Sequence, residues 1–189
     1  RVQLQGASGN RERSGAALLE TGNGTQAWHV DAFERRSDDV RVPNALGRIP
    51  NSDATPRGGA LGFSHFGEGS RLGLSASTWR SDYGTVAEDG TRIAMRSDKL
   101  AFEGEWRQPL AGWQSLRLQA GVSDYSHTEF ESGVPGTVFS KRGQDLRLEA
   151  RHVFIGRKTL HEVNQLALKE AAAFFAGLQF SGQKQAVAE

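Results

Sequence analysis

Histidine and carboxylate side chains gather in one stretch of the chain, where His127 lies between Asp124 and Glu129. Imidazole nitrogens and carboxylate oxygens are ligands that suit Zn²⁺ and related ions. This stretch therefore predicts a contact for a metal or another small ligand near the outer end of a strand, with the metal itself unknown. A solvated polar strand tip explains the same three residues without a ligand, so both interpretations stay open.

Charged residues also recur two positions apart in several segments. Carboxylates spaced in this way on a strand face the same side, and beside arginines they predict an ion-paired wall rather than an acid–base pair. Neighbours such as Ser64 and His65 point to opposite faces of a strand, so they form no nucleophile–base pair. The sequence predicts no catalytic residue and no cofactor, and hence a protein that is not an enzyme. If the strands close into a barrel, this predicted wall would line its lumen; it consists of His29, Asp31, Glu103, Glu105, Arg117, Arg147 and Glu149.

The composition of the 189 residues excludes several classes of protein. The chain contains no cysteine, which excludes a disulfide scaffold, a thiol nucleophile and thiolate zinc sites. Its 23 basic and 22 acidic residues nearly cancel, so no nucleic-acid partner is expected. The sequence contains no run of about 18 apolar residues, so it predicts no transmembrane helix. Because the chain starts at Arg1 without a secretory signal and ends in mid-pattern, we expect a fragment of a longer protein.

Apolar residues alternate with polar or small residues from residue 1 to about residue 148. In the segment 115–122, for example, leucine, alanine and valine occupy the even positions, and Arg117, Gln119 and Gly121 lie between them. A period of two residues is typical of strands with one apolar and one polar face. A soluble sandwich buries the apolar face in its core, whereas an outer-membrane barrel turns that face to lipid. The alternation alone leaves both folds open.

The connections between the predicted strands favour the barrel. Short and long links alternate, as do the tight turns and the longer outer loops of an outer-membrane barrel. The segments 25–42 and 114–132 also exceed the roughly five or six residues usual in soluble sheets. The predicted strands are 1–9, 14–21, 25–42, 58–66, 70–84, 91–108, 114–132 and 137–150. The predicted short links are 22–24, 67–69 and 109–113, and the longer ones are 43–57, 85–90 and 133–136. Aromatic girdles at the two membrane interfaces would use Trp28, Trp79, Trp106 and Trp113.

The last forty residues or so have a different character. Alanine-rich sequence with Phe174, Phe175 and Leu178 on one face predicts a helix that ends at Gly177. The segment 181–189 is typical of the start of another helix. We therefore predict an all-β fold of antiparallel up-and-down strands, a transmembrane β-barrel fragment of about eight strands over 1–150. A short α-helical C-terminal tail over 151–189 would follow it.

The first part resembles the barrel of TonB-dependent outer-membrane receptors, in the branch that includes zinc-uptake receptors. The matching segments, in the expected order, are 28–39, 41–44, 48–52, 59–64, 75–84, 92–95, 124–129 and 136–139. The resemblance implies location in the bacterial outer membrane, contact with its lipid, and uptake of a scarce nutrient such as a metal or metal complex, siderophores included. It also implies dependence on the TonB complex through a plug domain, which is expected outside these residues. Ligand capture is expected at the loops 43–57, 85–90 and 131–137, but 84–91, the match to the family's histidine-bearing loop, contains no histidine.

The tail resembles a different family, the DNA-damage-recognising ATPase component of excinuclease ABC. The resemblance is carried by 149–155, 171–178, 181–184 and the final Ala188-Glu189. The segment 146–152 fits both families, so a junction within 145–153 and a chimeric reading frame are expected. Two alternatives to the receptor thus remain, a fragment of a DNA-repair ABC ATPase and a soluble β-sheet binding module.

Overall fold

Eight long strands form one antiparallel sheet in which every strand pairs with its neighbours in sequence, and β1 and β8 form the two edges. The computed structural model describes residues 1–43, 47–152, 154–155 and 158–178. The predicted all-β, up-and-down antiparallel fold is confirmed. The strands are β1 (Val2–Ala7), β2 (Glu12–Gly22), β3 (Gln26–Arg36), β4 (Ala54–Phe66), β5 (Ser70–Gly84), β6 (Thr91–Arg107), β7 (Trp113–Glu131) and β8 (Val134–His152).

The strands lengthen along the chain, from 6 residues in β1 to 19 in β7 and in β8. The connections between the strands lie at two opposite ends of the sheet. The turn end carries the connections 23–25, 67–69 and 108–112. The loop end carries the connections 8–11, 37–53, 85–90 and 132–133. The three connections at the turn end are short, as the sequence predicted, whereas the loop end carries both the longest connection, 37–53, and the shortest, 132–133.

Several predicted boundaries at the loop end are wrong; β4, for example, begins at Ala54 rather than at 58. The strand expected over 25–42 ends at Arg36, because the chain then turns aside and its amides at Asp38 and Arg41 donate to the carbonyls of Asn10 and Gly9. The predicted longer link at 133–136 is a two-residue turn, Ser132-Gly133. Both of its residues have positive φ, 51° and 82°, which matches the right-handed twist of a tight hairpin.

The register sorts the side chains into two faces, because directly paired residues of a sheet point the same way. One row crosses the sheet through Phe63, Leu74, Phe102, Ala120 and Leu146. We call the face that carries this row the apolar face. The opposite side, the charged face, carries the row Gly73, Glu103, Gln119 and Arg147.

Among the described residues, no other element packs on either face of the sheet. Large aliphatic side chains of the apolar face are open to the surroundings, with Leu61, Leu100 and Leu146 exposed by 59%, 52% and 75%. Among the described residues, the only buried hydrophobic side chain is Val163, which lies outside the sheet. The sheet therefore has no apolar core of its own.

The described C-terminal residues form a small unit of short elements. The strands β9 (Phe154–Ile155) and β10 (Lys158–Thr159) pair, and α1 (Leu160–Asn164) and α2 (Leu168–Ala176) follow. The helix predicted to end at Gly177 is α2, and the Gly177 amide donates to the carbonyl of Ala173. Neither helix of the described part is long and apolar enough to cross a membrane. The helix predicted over 181–189 lies outside the described residues.

Candidate functional site

The charged face carries a ladder of ion pairs across β5 to β8. The Arg71 guanidinium lies 3.3 Å from Glu103, and the Arg117 guanidinium lies 2.9 Å from Glu105. Arg147 and Glu149 pair in the same way on β8. The register places Arg117 between Glu105 and Glu149, so alternating charges neutralise one another across the strands. All these predicted wall residues lie on one face.

His29, also on the charged face, is held between two carboxylates. Its Nδ1 lies 3.1 Å from Glu20 Oε1, and its Nε2 lies 2.8 Å from Asp31 Oδ2. A neutral imidazole carries one N–H and donates to only one of these acceptors, whereas the imidazolium donates to both. The two carboxylates therefore favour a charged His29 and fix the plane of its ring.

Between these charged groups lies a groove of about 1080 Å³. Its floor consists of small residues from the middle of β4 and β5, and its flanks include Glu20, His29, Arg71 and Glu103. Because residues from β2 to β8 line it, the sheet curves around its charged face. Small side chains with charged flanks allow close approach of another chain or of a polar solute. The small floor residues are Ala60, Gly62, Ser64, Gly73 and Ser75.

Two of the three predicted ligand contacts come together near the loop end. His127 and Glu129 share the charged face of β7, with 3.9 Å between His127 Nε2 and Glu129 Oε1. Asp124 lies on the apolar face, where its carboxylate accepts from Arg142 at 3.2 Å. An odd spacing of three residues on a strand separates Asp124 from His127, so the structure does not bring these two side chains together.

His127 instead has aromatic neighbours that sequence reasoning missed. The Tyr125 hydroxyl lies 2.8 Å from His127 Nδ1, and the ring centroids of Phe139 and His127 are 4.5 Å apart. Residues two positions apart on a strand share a face, so the sequence alone could have placed Tyr125 beside His127. The contact with Phe139 depends on how β8 pairs with β7, which the sequence does not show. Within the described residues, no three histidine or carboxylate groups are placed to hold a metal ion. The arrangement suits a ligand with both apolar and polar groups.

The loop 37–53, described over 37–43 and 47–53, is tied to its neighbour loop 85–90. The Asn51 amide donates to the carbonyls of Thr85, Glu88 and Thr91 at 2.9, 3.1 and 2.6 Å. Asn51 has a φ of 58°, in the left-handed region that asparagine tolerates better than most residues. The two largest connections at the loop end thus form one connected surface.

Asp53 and Arg92 make a second tie at the same place. Both carboxylate oxygens of Asp53 accept from Arg92, at 2.8 Å each. These hydrogen bonds hold the pKa of Asp53 below its usual value, although partial burial acts the other way. The same hydrogen bonds raise the pKa of Arg92. The pair is therefore ionised at neutral pH.

Comparison with known proteins finds a similarity to part of the chain. No family model matches the chain. Over 47 residues in its C-terminal region, the chain is 47% identical to the UvrABC system protein A of Vibrio vulnificus (strain YJ016), Vibrio parahaemolyticus serotype O3:K6 and Pasteurella multocida (strain Pm70). These 47 residues are 25% of this chain and 5% of the length of each of those proteins. The comparisons therefore bear on the resemblance of the tail and give no support to the receptor resemblance of residues 1–150.

Proposed function

We propose that residues 1–150 form part of the wall of a TonB-dependent outer-membrane receptor, a transporter that takes up a scarce nutrient such as a metal or metal complex. One observation carries the proposal. The eight-stranded sheet presents a continuous apolar band on one face and an ion-paired charged face on the other, with no core among its described residues. A wall between lipid and a water-filled lumen has these two faces.

The exposed apolar band argues against a sheet surrounded by water. Soluble monomers rarely expose contiguous apolar patches larger than a few hundred Å². Here the band runs across the sheet from Val30 through Leu61 and Leu100 to Val122, each at least 41% exposed. A second row beside it contains Leu74 and Leu146, so the patch is continuous rather than scattered. Lipid chains would cover such a surface and keep it away from water.

The dimensions of the sheet also suit a membrane. A tilted membrane strand needs about 9–11 residues. The strands β2 to β8 have 11 to 19 residues, so the longer ones project beyond the apolar band at the loop end. On β7 the apolar positions run from Leu116 to Val122, about 20 Å at the usual rise per residue. Trp28 and Trp106 lie on the apolar face near the turn end, where an aromatic girdle would stand, whereas Trp79, also predicted for a girdle, lies on the charged face.

The proposed transport role assigns a task to each part of the charged face. The ion-paired ladder would line the path of the solute, and the connected loops 37–53 and 85–90 would form its outer entrance. His127, Glu129 and their aromatic neighbours would contact the ligand on its way in. Energy would come from the TonB complex through a plug domain, and no catalytic step and no nucleic acid is part of the proposal.

Nitroxide scanning of β6 tests the membrane wall. Because the chain has no cysteine, each single-cysteine variant labels one site. We expect Leu100→Cys and Phe102→Cys, in full chains reconstituted in phosphatidylcholine vesicles, to collide with oxygen dissolved in lipid. The matched neighbours Ala101→Cys and Glu103→Cys should collide with a water-soluble nickel chelate. A chain that folds in buffer without lipid, with equal access to the chelate at all four sites, would establish a soluble β module instead.

The ligand contact is tested by titration with Zn²⁺ as the probe. His127→Ala should weaken any saturable binding, whereas His65→Ala, on the apolar face near the turn end, should leave it unchanged. Tyr125→Phe removes the hydroxyl beside His127 Nδ1 and should change the affinity less than His127→Ala. Saturable binding that survives His127→Ala would remove this residue from the proposed site.

A second candidate function rests on the C-terminal similarity. The 47-residue match to UvrABC system protein A supports a tail derived from a DNA-repair ATPase, and a chimeric reading frame with residues 1–150. Amplification of source DNA across the codons for 140–160 tests whether the two parts are contiguous. Nucleotide and DNA binding by the full chain would favour the repair function, whereas we expect neither.

A further inference from the structure

Three arginines stand side by side on the apolar face, just beyond the apolar band. The register pairs Arg57 of β4 with Arg80 of β5, and Arg80 with Arg96 of β6. Directly opposed like charges destabilise a sheet unless another group compensates them. All three residues are exposed, on the side toward the loop end. The row therefore has the charge pattern of a site for an anion.

Among the described residues, the acidic groups near this row are Glu34, Asp82 and Asp98, of which Asp98 pairs with Arg96 of the row itself. Glu34 is the cross-strand neighbour of Arg57, but its carboxylate pairs with Arg36 at 2.8 Å. Asp98 accepts from Arg96 and from the Thr78 hydroxyl, each at 2.6 Å. Within the described part of the chain, no carboxylate lies within 4.0 Å of the guanidinium of Arg57 or Arg80. Two positive charges are thus left without a close acidic partner.

An apolar groove begins beside these two arginines. It has a volume of about 610 Å³ and is lined by Val2, Leu4, Ala17, Ala32, Arg57 and Arg80. Its floor is low because small residues occupy it, and Leu4 lies over Gly15. At one end the groove carries Arg57 and Arg80 beside Thr78 and Glu34, whose carboxylate pairs with Arg36, and the rest is apolar.

We propose that this groove binds a phosphate-bearing lipid, with an acyl chain on the apolar floor and the phosphate between Arg57 and Arg80. The inference rests on the proposed membrane wall and adds a specific lipid site to it. Guanidinium groups bind phosphate oxygens through paired, charge-assisted hydrogen bonds. Arg57 and Arg80 lie one small-residue row, Ala32 and Gly59, beyond Val30 and Leu61, which is the level at which a lipid headgroup would lie. The charge of the two arginines, the shape of the groove and its level in the bilayer therefore all fit a phosphate-bearing lipid.

Spin-labelled lipids test the site in full chains reconstituted in phosphatidylcholine vesicles. The probe lipids are phosphatidic acid and phosphatidylcholine with the same labelled acyl chain. We expect the motionally restricted, protein-bound component to favour phosphatidic acid. The double variant Arg57→Gln/Arg80→Gln should reduce that preference by about fivefold for each arginine removed. The matched control Arg107→Gln/Arg151→Gln removes the same charge from the charged face and should keep the preference.

Each alternative outcome has a distinct meaning. A phosphatidic acid preference that is absent, or equally reduced in the control, overturns the lipid site but not the membrane wall. Loss of the preference when inorganic phosphate is added would show a site for free phosphate and overturn the lipid assignment. Absence of any restricted component, with either probe lipid, would instead overturn the proposed membrane wall itself.

Discussion

Arg92 and Asp53 join the loop 37–53 to the start of β6 through two parallel hydrogen bonds of 2.8 Å. The two residues lie far apart in sequence, yet they fix the position of one large connection relative to the next. The Gly84 amide donates to the carbonyl of Asp53 at 3.2 Å, so β5 shares in the same tie. The loop end is consequently one connected surface rather than a set of separate hairpin tips.

Asp53→Asn should loosen the loop 37–53. Loss of the bidentate pair removes about 1 kcal/mol of local stability, since the two side chains are partly exposed. Limited trypsin digestion measures this loosening of the loop, and we expect faster cleavage after Arg48. Asp89→Asn, in the neighbouring loop, is the control and should leave the cleavage rate unchanged. Equal rates for Asp53→Asn and the unmodified protein would show that the pair does not hold the loop.

Acid should release the same loop. Because Arg92 lowers the pKa of Asp53 in the folded chain, the ionised pair stabilises the fold above the unfolded-state pKa of 3.8. This contribution is lost as the pH falls from that value through the lower folded-state pKa. Hydrogen exchange of residues 47–53, corrected for the intrinsic pH dependence, should rise in this range. The Asp53→Asn protein should show no such step, and a step in both would assign it to another group.

The order of the loop 85–90 should depend on the side-chain amide of Asn51 more than on the size of that side chain. Asn51→Gly keeps access to positive φ but removes the hydrogen bonds to the carbonyls of Thr85, Glu88 and Thr91. Asn51→Asp nearly keeps the shape but places a carboxylate against three carbonyl oxygens. We therefore expect amide exchange across 85–91 to accelerate in both variants, and more in Asn51→Asp. Unchanged exchange in Asn51→Asp would show that the amide does not order this loop.

Sequence reasoning predicted the parts of the fold that follow from local periodicity. The alternation around Leu100 and Ala101 assigns them to opposite faces, and the register confirms it. Contacts between distant segments, such as that of Asn51 with 85–91, left no periodic signal. Asp124 was grouped with His127 by proximity in sequence, although an odd spacing on a strand separates their side chains. The two-residue turn at Ser132 was missed because β8 contains a proline and a glycine near its start, Pro135 and Gly136, which are typical of a loop.

The β7–β8 turn should depend on Gly133. Its φ of 82° lies in a region that residues with a Cβ rarely adopt. Gly133→Ala should therefore destabilise the folded protein by about 1 kcal/mol, although no atom stands within 4 Å of the added methyl group. Chemical denaturation of the reconstituted chain measures the change. Gly136→Ala, just after the turn and without positive φ, is the control, and an equal loss there would indicate a cause other than the turn conformation.

A charge should be far more costly at Leu100 than at its neighbour Ala101. Leu100 lies in the middle of the apolar band, between Ala76 and Val122, and an arginine there would enter the hydrocarbon of the bilayer. Leu100→Arg should destabilise the vesicle-bound protein by about 2–4 kcal/mol. Ala101→Arg places the same charge on the other face, whose strands carry Glu103 and Asp145, and should cost less than about 1 kcal/mol. Guanidinium unfolding in phosphatidylcholine vesicles compares the two, and equal losses would mean that the apolar face is not turned to lipid.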